Sequence, residues 1–311
     1  MGIPNLNRFL LSNCSAQSIG KKHISILSDK TIVIDTSIYL YKFSGNDALI
    51  ENMYLLVTIF KYYRVQPIFI FDGKPPSEKK DVIEQRYIDK QTAEKKYKEL
   101  QLLLETTNDN KDELLVELNK LKKQFIRIKK DDILLVKSLL ESCGVTYYDA
   151  PGEADQLCAK MVINKEAWAC LSDDMDMFAY GCTRVLRHIS LLNHTVVFYN
   201  TVGILRELDI PMYNFREILI LSGTDYNHSE PVKINEIVKQ YRTFASDTVE
   251  NISFYEWLCT KSINRIDTDV FKNIYRMFHI TDMVNYTQPV KSKCNLPNMK
   301  QILHAYGFVF V

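Results

Sequence analysis

Residues 31–34 and 67–71 are short, uninterrupted runs of β-branched and aromatic side chains, the form of strands buried on both faces of a parallel sheet. Each run ends against an aspartate, Asp35 and Asp72. Similar runs recur at 145–148, 167–171, 185–189 and 196–199, with helix-favouring stretches such as 52–63 and 133–142 between several of them. The alternation predicts an α/β fold, a three-layer core with a mainly parallel central sheet covered by helices.

Residues 79–130 break this alternation with about 50 residues of charged, helix-favouring sequence and no strand pattern. They are expected to form helices outside the sheet, with a turn at 106–110. Beyond about residue 226 the pattern is one of short helical pieces interrupted by Pro231, Pro289 and Pro297. No internal repeat or low-complexity linker is visible.

Composition adds little until it is localised. The 311 residues are 46% hydrophobic and 25% charged, with 10 Gly and 9 Pro, which excludes collagen-like and largely disordered chains. Net charge is only +1, yet residues 79–130 carry 14 Lys and Arg against 10 Asp and Glu, leaving the remainder acidic. Seven cysteines (Cys14, Cys143, Cys158, Cys170, Cys182, Cys259, Cys294) include no C-x-x-C pair and are read as reduced thiols of an intracellular protein. The start at Met1-Gly2 has no apolar run suited to secretion, and Leu6 stands where a myristoylation signal has Ser or Thr. No run of about 18 apolar residues suggests a membrane span.

The acids gather where strands end. Asp35 and Asp72 are followed by Glu153 and Asp155 in Ala150-Pro151-Gly152-Glu153-Ala154-Asp155, by Asp173, Asp174 and Asp176, and by Asp225 after Gly223-Thr224. In an open parallel sheet the carboxyl ends of the strands share one edge, where ligands bind. Any one of these acids is an ordinary capping or turn residue. Five separate strand-end sites together predict a convergent cluster that needs positive counter-charge. An oxygen-only ligand set suits Mg²⁺ or Mn²⁺, and the lack of a His or Cys cluster argues against zinc. Two such ions about 3.5 to 4 Å apart suit phosphodiester hydrolysis.

The set Met1-Gly2-Ile3, Val33-Ile34-Asp35-Thr36-Ser37, Phe71-Asp72-Gly73-Lys74-Pro75-Pro76, Pro151-Gly152-Glu153-Ala154-Asp155, Asp173-Asp174-Met175-Asp176 and Ser222-Gly223-Thr224-Asp225-Tyr226 resembles the flap endonuclease family of structure-specific 5′ nucleases. The divergent spelling and the Ile, Asn, Lys and Tyr enrichment look most like its poxviral branch. The resemblance implies a PIN-like nuclease core over residues 1–225, a helical arch at about 77–137 inserted into it, and a helical DNA-binding subdomain at 226–311 with a degenerate helix-two-turn-helix.

It further implies two Mg²⁺ ions, with Mn²⁺ as a substitute. Asp35, Asp72, Glu153 and Asp155 would serve the first, and Asp174, Asp176 and Asp225 the second, while Asp173 would not be a direct ligand. Lys79 and Arg86 would contact the scissile phosphate; seven residues apart on a helix, they share a side. Gly2, Tyr41, Lys74, Lys129 and Lys130 would contact DNA, Tyr41 by stacking on a base. The implied substrates are 5′ flaps, gapped or branched DNA in replication, repair and recombination, and a poxviral origin would place the protein in the host cytoplasm.

Two departures stand out. Residues 227–235 contain no glycine where the family's ion-holding turn is glycine-rich, so duplex binding is expected to use other contacts. No Gln-led, doubly aromatic sliding-clamp motif follows Gly307-Phe308. The competing readings are a 5′-3′ exonuclease or four-way junction resolvase with the same site, a non-catalytic branched-DNA scaffold, and an RNA-cleaving relative.

Overall fold

Alternation along single strands sets the architecture. In β2 (Thr31–Asp35) Val33 faces one apolar cluster while Ile32 and Ile34 face another, and Ile70 separates from Phe69 and Phe71 in the same way in the next strand. Both faces of the sheet are thus buried, which gives three layers. The computed structural model describes residues 2–106, 111–227, 232–247, 252–261, 267–280 and 288–310. Past Thr106 the expected turn lies outside the described residues, as do residues 228–231 of the glycine-free stretch and Pro231 with them.

With β1 (Ile19–His23), β3 (Gln66–Phe71), β4 (Thr146–Asp149), β5 (Ala169–Leu171), β6 (Arg184–Ser190) and β7 (Thr195–Asn200), the described residues form a seven-stranded sheet ordered β1-β7-β6-β5-β2-β3-β4. The run from β6 to β4 is parallel, and β7 and β1 add antiparallel pairs. Strand β2 lies between β3 and β5, so the chain leaves it in one direction and returns on its other side. The crevice at such a switch point opens beyond the carboxyl end of β2, at Asp35.

The charged segment forms two packed antiparallel helices, Lys80–Thr106 and Lys111–Lys122, with few buried side chains. The expected insertion at about 77–137 takes in the start of a third helix, Lys130–Ser142. Helix Lys130–Ser142 buries Val136, Leu139 and Leu140 against the sheet, because its apolar positions repeat at helical spacing. The helices after residue 226 also behave differently from a separate unit: Ile237, Phe254, Trp257 and Phe278 join the same apolar cluster as Val33 and Ile70. Pro297 opens helix Leu296–His304 rather than interrupting one, since a proline in the first turn forfeits no helical hydrogen bond. That last helix packs on Lys130–Ser142, and Val290 bridges to Tyr147 on the edge strand β4. Cys143, Cys158, Cys170 and Cys182 are buried thiols. Among the described residues no helix is long and apolar enough to cross a membrane.

Candidate active site

Backbone geometry at two glycines brings the acid-bearing loops together. After β3, the Gly73 N–H donates to the Gly152 carbonyl at 2.7 Å, and an added Cβ at Gly73 would overlap the Ala150 carbonyl. The Ala154 N–H in turn donates to Asp72 Oδ1 at 2.7 Å, so the loops carrying Asp72, Glu153 and Asp155 are docked on each other. Gly2 has a φ of 75°, and a Cβ there would overlap Asp174 Oδ1 and lie 2.6 Å from Asp176 Oδ1. Only glycine allows the N-terminal backbone this close to the second acid pair. Gly2→Ala is therefore expected to lower DNA cleavage about a hundredfold through misplacement of Asp174 and Asp176, with an unchanged circular dichroism spectrum. Unaltered kinetics would remove that role.

The resulting cleft, of about 210 Å³, is lined by Asp35, Asp72, Glu153, Asp155, Asp174 and Asp225 together with Tyr41, Lys79 and Arg86. Asp176 is buried beneath it, its N–H donating to Asp174 Oδ1 at 3.1 Å. All seven acids singled out in the sequence as ion ligands are thus at one place. Asp173 turns away, to the His188 N–H at 2.7 Å and Lys42 at 3.3 Å. Burial pushes its carboxyl up, but these partners outweigh it and hold it below the ordinary range. Lys74, Lys129 and Lys130 are exposed and do not line the cleft. The Lys129 N–H is engaged by Asp132 at 2.8 Å, where helix Lys130–Ser142 begins.

Three hydroxyls that the sequence reading passed over organise the acids. Ser37 donates to Asp72, Ser172 Oγ to Asp35 at 3.0 Å, and the Tyr226 hydroxyl to Glu153 at 2.8 Å. Each adjoins an acidic motif, which is the available signal. Lys79 Nζ lies 2.7 Å from Glu153 Oε1 and 3.8 Å from Asp225 Oδ2, and Arg86 reaches the same Asp225 oxygen at 2.6 Å. The expected common side is therefore realised, although Lys79 sits in the 3₁₀ turn Ser77–Lys79 that leads into the long helix. Burial alone would lower the Lys79 ammonium, but Asp155, Tyr226 and Glu153 offset it and the net shift is upward. Tyr41 is 42% exposed, and Lys90 Nζ stands 4.7 Å from its ring centroid.

Two cations do not balance seven carboxylates. Burial, with the Asp72 and Asp174 charges beside it, raises Asp35 from an ordinary 3.8 to about 8. Burial with Glu153 raises Asp155, and burial with Asp174 and Asp225 raises Asp176. Asp176 Oδ1 has no hydrogen-bond partner among the described residues. A buried acceptor left this way costs about 1 to 3 kcal/mol, and a hard cation would satisfy it. The all-oxygen donor set fits such an ion. Among the described residues no three His, Cys, Asp or Glu side chains are gathered closely enough to hold a metal ion, and Glu153 and Asp225 are paired with Lys79 and Arg86.

These shifts have a measurable sign. Between pH 3.8 and about 8 the folded chain keeps the Asp35 proton and the unfolded chain does not. Stability from this group is therefore fully present below the unfolded value and is lost as pH rises through the folded one. Asp155 and Asp176 shift in the same direction. With chelator present, the protein is expected to melt higher at pH 6 than at pH 8, and Asp35→Asn to narrow the gap; an equal gap in the variant would count against it.

Comparison with known proteins identifies relatives of the chain. Residues 1–93 match the XPG N-terminal domain and residues 144–225 the XPG I-region. Flap endonuclease 1 of Methanococcus aeolicus is 28% identical over 314 residues, covering 92% of this chain and 87% of the relative. The catalytic core of Rad2 in complex with DNA substrate aligns with a TM-score of 0.68 at 19% identity, covering 98% of this chain and 95% of that one. Human GEN1 in complex with Holliday junction DNA aligns at 0.64 and 16% identity, covering 99% and 74%. The fold is that of the PIN-like nucleases. The chain belongs to the flap endonuclease/XPG family of metal-dependent nucleases that hydrolyse DNA phosphodiester bonds.

Proposed function

We propose that this protein is a structure-specific 5′ nuclease that cuts DNA at flaps or junctions, in replication, repair or recombination. The observation that carries the reading is the cleft itself, where carboxylates from five chain segments meet Lys79 and Arg86 at the root of a charged helical hairpin. Asp35, Asp72, Glu153 and Asp155 would hold one Mg²⁺, and Asp174, Asp176 and Asp225 a second, with Mn²⁺ able to replace them. When bound, such ions supply Lewis-acid charge to a phosphate and acidify a water.

The chain's own side chains do the rest. Lys79 and Arg86 place positive charge where charge develops on the scissile phosphate. Ser37, Ser172 and Tyr226 fix carboxylate orientation through their hydrogen bonds. Tyr41, half exposed on the cleft wall, offers a face for a terminal base, a contact worth about 1 to 3 kcal/mol. The hairpin helices form the arch over a 5′ single strand; each carries as many acidic as basic residues, and the positive charge that attracts the strand's phosphates comes from Lys79 at the root and from Lys123, Arg127, Lys129 and Lys130 after the second helix. Gly2 places the N-terminal backbone beside the reacting phosphate, while Lys74, Lys129 and Lys130 extend the positive surface outside the cleft. The sequence character supports the poxviral branch of the family, and with it the host cytoplasm as the site of action.

The test is a 5′-end-labelled flap DNA incubated with Mg²⁺ and either the protein or Asp174→Asn, with product length read on a denaturing gel. A flap-length product missing from the variant is the expected result. Mononucleotides would favour the 5′-3′ exonuclease reading, and preferential cutting of a four-way substrate the resolvase reading. Binding without cutting in Mg²⁺ or Mn²⁺ would leave the scaffold.

A further inference from the structure

The two cations of the cleft touch the very carboxylates that ions would need. Lys79 is 5% exposed, with its ammonium 2.7 Å from Glu153 Oε1, 3.8 Å from Asp225 Oδ2 and 4.8 Å from the Tyr226 ring centroid. Arg86 takes the same Asp225 oxygen from the more open side, its side chain 50% exposed. An ammonium at hydrogen-bond distance from a carboxylate stands where an incoming cation must approach, and water screens the pair poorly when one partner is buried.

We propose that Lys79 is the built-in counter-cation of this centre: it neutralises the ligand carboxylates while they hold no metal, and it is displaced from them as divalent ions load. The inference rests on the metal site put forward above and gives one of its residues a second task. Lys79 ends the 3₁₀ turn Ser77–Lys79 and is followed at once by helix Lys80–Thr106. Its release therefore loosens the root of the hairpin at the moment the centre becomes charged with metal. It also frees the ammonium for phosphate, so one side chain opposes ion binding before substrate arrives and assists the reaction afterwards. Coupling of this kind is reciprocal: if Lys79 weakens metal binding, metal weakens the hold on Lys79 by the same factor, typically about 5- to 150-fold.

The experiment is a Mn²⁺ titration without DNA, with free Mn²⁺ read by electron paramagnetic resonance, on wild type, Lys79→Met, Arg86→Gln, Asp176→Asn and Lys21→Met. Lys21 is an exposed cation on the edge strand β1, separated from β2 and its Asp35 by β7, β6 and β5. The expected result is binding about tenfold tighter in Lys79→Met, a smaller gain in Arg86→Gln, no change in Lys21→Met and loss in Asp176→Asn. Mn²⁺ should also raise the melting temperature of Lys79→Met more than that of wild type. In wild type it should speed amide exchange over residues 80–90, an effect already present without metal in Lys79→Met. A dissociation constant within twofold of wild type, or weaker, in a Lys79→Met protein that still melts cooperatively overturns the counter-cation role. If neither wild type nor Lys79→Met takes up Mn²⁺ at millimolar concentration, the metal site itself falls and this role with it.

Discussion

Asp176→Asn is expected to lower kcat on a flap DNA about a thousandfold while raising the melting temperature of the metal-free protein. The two effects have one cause. Asp176 is 1% exposed, its Oδ1 lacks a hydrogen-bond partner among the described residues, and Asp174 and Asp225 add repulsion to its burial. In the metal-free chain this carboxylate is a liability, and a neutral isostere relieves it. Ion binding reverses the balance, because a carboxylate in this position is a strong ligand for a hard cation and an amide a weak one. Several kcal/mol of charge stabilisation would go with the lost ion, at about 1.4 kcal/mol per tenfold in rate. Single-turnover cleavage and melting with chelator measure the two halves separately. A variant that melts lower and still cuts would show that Asp176 is a structural acid.

Lys79→Ala is expected to reduce kcat about 10²- to 10³-fold, the usual cost of removing one preorganised group aimed at developing charge. Arg86→Ala should cost less, because its half-exposed side chain acts in better-screened surroundings. If Lys79 served ion balance alone, Lys79→Met would reach the wild-type kcat at saturating Mg²⁺, and would reach it at a lower Mg²⁺ concentration than wild type. Rate measured against Mg²⁺ concentration decides this: loss of kcat that persists at saturation assigns Lys79 to the reaction, and full recovery assigns it to ion balance alone.

The strands that build the cleft were legible because burial on both faces leaves only apolar side chains between turn residues, as in Ile32-Val33-Ile34 and Ile68-Phe69-Ile70-Phe71. Strand β1 was not, because an edge strand with one buried residue, reading Ile-Gly-Lys-Lys-His, needs no such pattern and takes its pairing from β7. The acids were legible as strand-end residues, whereas the turning of Asp173 to Lys42 and His188 while Asp174 lines the cleft depends on partners 131 and 15 residues away. The pairing of Lys79 with Glu153 and of Arg86 with Asp225 was hidden, since spacing along a helix gives a shared side but not the partner across 74 or 139 residues. Ser172 is similar: it is one more small polar residue in the sequence, and only the crossing of β5 beside β2 brings its hydroxyl to Asp35. The end of the hairpin is hard to read in the sequence because helix Lys130–Ser142 continues its helical, charged character while burying a face that the hairpin helices largely lack.

The bridge between Tyr147 and Val290 sets an order of events during synthesis. Every acid of the cleft has left the ribosome by Asp225, yet the open edge of β4 meets its only bridging partner among the described residues with Val290, and helix Leu296–His304 covers its neighbour later still. A nascent chain thus carries all the carboxylates of the cleft beside an unprotected strand, the kind of edge that pairs with other chains. Domains generally fold from the N-terminus during synthesis, at about 5 to 20 residues per second. This protein has an interval of seconds in which its sheet is chemically equipped but not sealed, and chaperone protection during that interval, rather than the finished fold's stability, would govern its yield.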